Sequence, residues 1–176
     1  MTRRIGITVL TQLVCIGAFC LFGASQTAPA ATDVGVALNI SNARPRQVEN
    51  QTEQRITADY RLAWANLAAA MDSGSLAPLD GLFVGPARES LAGSVSGQHQ
   101  SQISTRYLGQ KHNLQAVFYS PEGDLIELQD TAEYQMQVFS SGKLIHDDRG
   151  VHRYVVLMTP ASDRWVIRQL VEVTKF

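Results

Sequence analysis

The side chains of this sequence with chemistry to offer are a few carboxylates, imidazoles and phenols set among apolar residues. Asp130 falls in phase with Leu128, Ala132 and Tyr134 along an alternating stretch. A carboxylate on an apolar face needs a partner, because an unpaired buried charge is expensive. Paired with Arg153 or Arg168, Asp130 is a structural ion pair or a rim residue. Unpaired, it is a candidate acid or base whose proton affinity is displaced by burial. Tyr60 lies on the inward stripe of a helix, as a core tyrosine with a satisfied hydroxyl or as a partner to that acid. Gln169 falls in phase with Trp165, Ile167 and Val171. With Tyr134 and His152, these residues form the candidate ligand-binding set. An Asp130 facing an enclosed pocket beside Tyr60, free of arginine, favours an enzyme or carrier; a pocket filled by Trp165, Tyr134 and Met136 argues against one.

His146, Asp147, Asp148 and His152 are the one dense group of metal-ligand types. A metal site needs three or four converging ligands with each histidine oriented by a further hydrogen bond. The spacing matches no such pattern, so the run reads as a solvated loop or bulged strand entry, and neither a metal nor a cofactor is expected. Both cysteines, Cys15 and Cys20, fall in an N-terminal apolar run, so the rest of the chain has no thiolate nucleophile, disulfide or thiolate metal site. No nucleophile elbow is present.

The elements that must position these residues are legible from periodicity. Ile56, Tyr60, Ala63, Leu67 and Met71 recur at helical spacing, with Trp64 and Ala68 widening the stripe and Gly74 placed to end it. Asn50 and Glu53 suggest a capping box at its start. A short element around 78–84 follows. A second, less regular helix begins at Pro86, with Ile103 and Leu108 thinly spread along its continuation and a break expected near Gly97. From Asn113 the period becomes two. Strands are expected at about 113–119, 125–139, 151–159 and 165–173, joined by short turns, which implies an antiparallel meander. The third strand is apolar on both faces, as a strand covered twice would be, for instance by a partner chain. Helices followed by antiparallel strands make this an α+β fold, with N-terminal helices packed on a curved four-stranded sheet.

The chain has 176 residues and a formal net charge of −1, enough for one domain plus a terminal segment. Near-neutral charge without a basic patch excludes a nucleic-acid footprint. Arg3 and Arg4 precede an apolar run from Ile5 to about Phe22, and Ala28-Pro29-Ala30 offers a cleavage site. Residues 1–30 therefore read as a signal peptide cleaved after Ala30, or as an uncleaved signal anchor. Either places the body outside the cytoplasm, periplasmic or extracellular, with membrane contact only through this segment. Residues 31–48 read as a flexible linker, and 49–176 as the domain.

The order of an amphipathic helix, looser helices and a meander closing on Asp163-Arg164-Trp165-Val166-Ile167 resembles the nuclear-transport-factor-like superfamily. That resemblance implies a cystatin-like cone, a curved sheet wrapped around the long helix, over residues 50–174. The superfamily holds isomerases, cyclases and dehydratases beside non-catalytic modules, so the fold leaves function open. An exported N-terminus makes the chain look more like the membrane-tethered, non-enzymatic branches, among them assembly subunits of type IV secretion and chloroplast-division proteins. The expected function is a non-catalytic binding or assembly module of the cell envelope. It would work through the sheet face or the pocket, with a protein partner or itself as a homodimer, or with a small apolar ligand. The alternative is a small-molecule enzyme or carrier using acid–base residues in the pocket.

Overall fold

The computed structural model describes residues 33–176; the expected signal or anchor segment, 1–30, lies outside them. The fold is α+β: two helices and an open, mixed, six-stranded sheet. In chain order the elements are β1 (Val34–Asn39), β2 (Arg44–Pro45), α1 (Asn50–Ser73), a 3-10 turn (Ala77–Leu79), α2 (Gly85–Gln100), β3 (Ile103–Tyr119), β4 (Ile126–Ser140), β5 (Lys143–Pro160) and β6 (Trp165–Val173). The sheet order is β1-β3-β4-β5-β6, with β2 pairing to β3.

The expected linker is instead part of the sheet. β1 and β2 both pair with β3 in parallel, from Val34 opposite Gln110 to Pro45 opposite Tyr119. A six-residue strand gives too short an alternation to declare itself, and its order comes from a partner far along the chain. The four-strand meander is therefore the antiparallel portion of a mixed sheet.

Helix α1 is the element the stripe foretold. Ile56, Tyr60, Ala63, Trp64 and Leu67 are buried against Leu114, Leu128, Ala132, Val156 and Ile167 of the sheet. Its N-cap is Glu49, whose carbonyl accepts from Glu53 N–H, and no side chain caps it, so the Asn50 capping box does not form. Gly74 ends it at φ 72°, a left-handed conformation in which a side chain is strained. Pro86 opens α2, where its missing N–H costs no helical bond. Helix α2 stops at Gln100, and Ile103 already belongs to β3, so the expected continuation is strand instead of helix.

β3 and β5 both extend beyond their expected limits. The run 146–150, expected as a loop or bulged entry, is paired with β4 throughout, and the β-bulge lies just before it, between Val138 and Phe139. In β5, Tyr154, Val156 and Met158 face α1, while Val151, Val155 and Leu157 lie on the opposite, outer face. Among the described residues no helix is long and apolar enough to cross a membrane.

A candidate functional site in the core

Asp130 stands on β4 with its side chain toward α1, fully buried at 0% exposure. Its Oδ2 accepts from the Tyr60 hydroxyl at 2.7 Å and lies 2.7 Å from His112 Nδ1. An ionised carboxylate can only accept, so in that state Nδ1 carries the proton. Strand alternation puts Arg153 on the outer face opposite Thr131, and Arg168 is exposed, so neither arginine reaches Asp130. The partners are a phenol and an imidazole.

Trp64 covers this trio, its ring 4.4 Å from that of His112, and Tyr60 meets the imidazole edge-on. Beyond Trp64 the polar groups continue toward solvent. The Tyr134 and Tyr154 hydroxyls are 2.7 Å apart, and Tyr134 stacks on His152 at 4.5 Å. His152 Nδ1 lies 2.8 Å from Glu172 Oε1, at the outer end of the chain of contacts. Tyr107 packs edge-on against Tyr134.

Burial governs the electrostatics. It pushes the Tyr60 phenol well above its ordinary range, and the Asp130 charge adds to the effect. Tyr134 and Tyr154 are raised for the same first reason. Tyr107 is raised to about 12 by burial, with Glu172 contributing. The Trp64 indole N–H approaches the Tyr60 oxygen closely enough to favour the phenolate, but outside hydrogen-bond geometry.

Among the described residues, five buried side-chain polar atoms have no hydrogen-bond partner: Trp64 Nε1, both amide atoms of Gln110, His112 Nε2 and Asp130 Oδ1. An Asp–His pair of this kind can hold an imidazole as a base, but here Nε2 is sealed beneath Trp64 and Tyr60. Neither of two surface cavities among the described residues touches the trio. One, about 370 Å³, lies on the outer sheet face between Lys111, Glu133 and Arg149. The other, about 490 Å³, lies between β1 and α1, beside Leu38, Thr57 and Arg61.

Of the residues singled out from sequence, Tyr60 and Asp130 meet directly, and Tyr134 and His152 stack beside them. Gln169 does not join them. A bulge between Leu157 and Met158 adds Arg168 to β6 and reverses its phase, so Leu170 packs on the core and Gln169 faces out. Trp165 packs near Tyr119 at another part of the core, so the space is filled by Trp64, Tyr134 and Tyr154. His146, Asp147 and Asp148 are exposed on β5, and no metal-ligand cluster exists among the described residues. His112 and Glu172 went unnoticed in the sequence, and Trp64 was read there only as part of the helical stripe. Carrying the alternation of Leu114 and Ala116 back two residues would have placed His112 on the inner face.

No family model and no curated protein sequence matches the chain. Its fold is similar to the solved intermembrane-space region of the chloroplast protein ARC6, at a TM-score of 0.58 and 12% identity, over 74% of this chain and 100% of that one. At that identity the likeness shows the fold alone.

Proposed function

We propose that the chain is a non-catalytic binding or assembly module exported to the cell envelope, working through the outer face of its sheet. In this reading the bulged sheet curves around α1 as a cone whose interior is packed. The observation that carries it is the apolar outer face of β5 and β6. Val155 is directly opposite Val171, Leu157 and Val151 continue the stripe, and Val151 and Val171 are 52% and 42% exposed. The core is complete without these residues, and a two-faced apolar strand is what a covered sheet requires.

A photo-crosslinking residue at Val155, in the protein expressed in its own cells, forms a discrete protein adduct, whereas one at Glu122 forms none. Absence of an adduct from every outer-face position overturns the reading. Export is read from the intact mass of the mature protein, expected to begin at Ala31 if the signal is cleaved.

The competing reading, an acid–base enzyme or carrier, draws support from the unpartnered atoms around Asp130 and His112. A ligand reaching them must displace Trp64 or Tyr134. Substitution Trp64→Ala would then expose a cavity that binds small aromatic probes, and turnover would depend on Asp130; a module without catalysis shows neither dependence nor turnover.

A further inference from the structure

The free edge of β5 is the least explained part of the molecule. β6 pairs with β5 only from Arg153 to Pro160, so Lys143–His152 has a strand neighbour on β4 alone. Residues 141–149 are exposed without interruption. Ile145, 57% exposed, and Val151 are the two most exposed large apolar residues described. An edge of this length, with apolar side chains and unpaired backbone N–H and C=O groups, is a template for another strand.

The geometry points to a second copy of this chain as that strand, adding its own β5 edge antiparallel about a two-fold axis at Asp148. This rests on the binding-module reading above and names the partner. The case is one of register. A two-fold perpendicular to the sheet keeps outer side chains on the outer face, so Asp147, Arg149 and Val151, which follow the bulge at Ile145, can meet only one another or neighbours in the same phase. Centred on Asp148, the register sets Asp147 against the partner's Arg149, and the symmetry repeats the pair. Centred one residue earlier, it sets Asp147 against the partner's Asp147. One residue later, it sets Arg149 against the partner's Arg149. Only the middle register matches acid with base.

Asp147 accepts from Gln135 and Gln137 on its own sheet, and Arg149 reaches over Gly109. Both are exposed, and across an antiparallel pair the Cβ atoms stand only about 5 Å apart, so each can turn to the partner. One contact opposes the pairing: Asp148 meets the partner's Asp148 on the axis. Like charges directly opposite are destabilising, so this edge pairs in one register and weakly.

Sedimentation of the mature chain across a concentration series tests the arrangement. A monomer–dimer equilibrium is expected. Asp147→Arg or Arg149→Asp alone raises the dimer dissociation constant about tenfold, by turning two attractive pairs repulsive. The double exchange D147R/R149D restores it, and Asp148→Asn tightens it below that of the parent. Thermal melting of each variant at monomeric dilution shows that the fold is intact. A chain that stays monomeric at about 100 times the concentrations typical of micromolar association overturns the inference. So does a dimer indifferent to the charge exchange, or one not rescued by the double variant. A dimer broken by Val171→Glu but not by Asp147→Arg places the copy on the outer face: the binding-module reading then stands and the edge pairing fails. Loss of every outer-face adduct in the crosslinking experiment, with an edge-dependent dimer retained, is the reverse case.

Discussion

The Asp130 oxygen that takes both Tyr60 and His112 is the point on which the core polar network turns. Two donors on one buried carboxylate oxygen share their stabilisation, so their removals are not independent. Tyr60→Phe leaves the carboxylate with one donor and should cost about 1–3 kcal/mol in urea unfolding. His112→Phe should cost a similar amount. The double variant should depart from the sum by about 0.5 kcal/mol or more, because each single change already weakens what the other contributes. Additive losses would show that the two donors act separately. The phenols give a second test. Tyr60, Tyr107, Tyr134 and Tyr154 all have folded values above the ordinary 10, Tyr107 at about 12. A raised value means that the fold holds its proton more tightly than the unfolded chain does. That contribution is intact below about pH 10 and is lost as pH climbs through the folded values. An absorbance titration at 295 nm should therefore show most phenolate appearing together with unfolding, above the normal tyrosine range. Early ionisation of four phenols near pH 10 would contradict the packing.

At the scale of elements, two glycine substitutions should have opposite signs. Gly74 holds a left-handed φ, and a Cβ there would collide with the His99 ring. Gly74→Ala should lower the melting temperature, by strain of about 1 kcal/mol before the collision is counted. Gly93 lies within α2, and a Cβ there would meet nothing. Gly93→Ala should raise stability by up to about 1 kcal/mol. Thermal melts of the two variants decide both. The elements that could be read in advance are those with one buried face: α1 and β4 show their period because one side of each meets the core. β3 was recognised only from Asn113, since Thr105, Gln110 and His112 put polar residues on its buried side and the bulge at Gly109 and Gln110 interrupts its phase. The outer half of β5 is exposed on both faces, so no alternation marks it as strand. Of the candidate site, Asp130 and Tyr60 were legible as interruptions or members of apolar faces. Gln169 was misplaced by a bulge, which sequence period cannot register.

As a whole molecule, the chain spends its polar residues unusually. Phenols, an imidazole and a carboxylate occupy the interior, while valines stand on the outer sheet face. The first arrangement fixes a particular packing of α1 on the sheet; the second leaves surface for a partner. Val155→Glu should therefore leave the melting temperature of the isolated chain nearly unchanged while abolishing outer-face adducts. A large loss of stability would mean that the stripe serves the monomer.

The parallel pairing of β1 with β3 also sets an order of events in time. β1 is the first described strand to emerge from a ribosome or a translocation pore, yet its one strand partner among the described residues, β3, follows both helices in the chain. Pairings closed over long stretches of chain form late, because their loop entropy is met before any contact repays it. The β3–β6 meander, closed by short turns, has no such delay. During folding β1 therefore waits beside an unfinished sheet whose β3 edge is open to other chains. In pulse-labelled hydrogen exchange the amides of Val36 and Leu38 should gain protection after those of Leu128 and Val156. Simultaneous protection would show instead that the crossover through the helices is in place from the start.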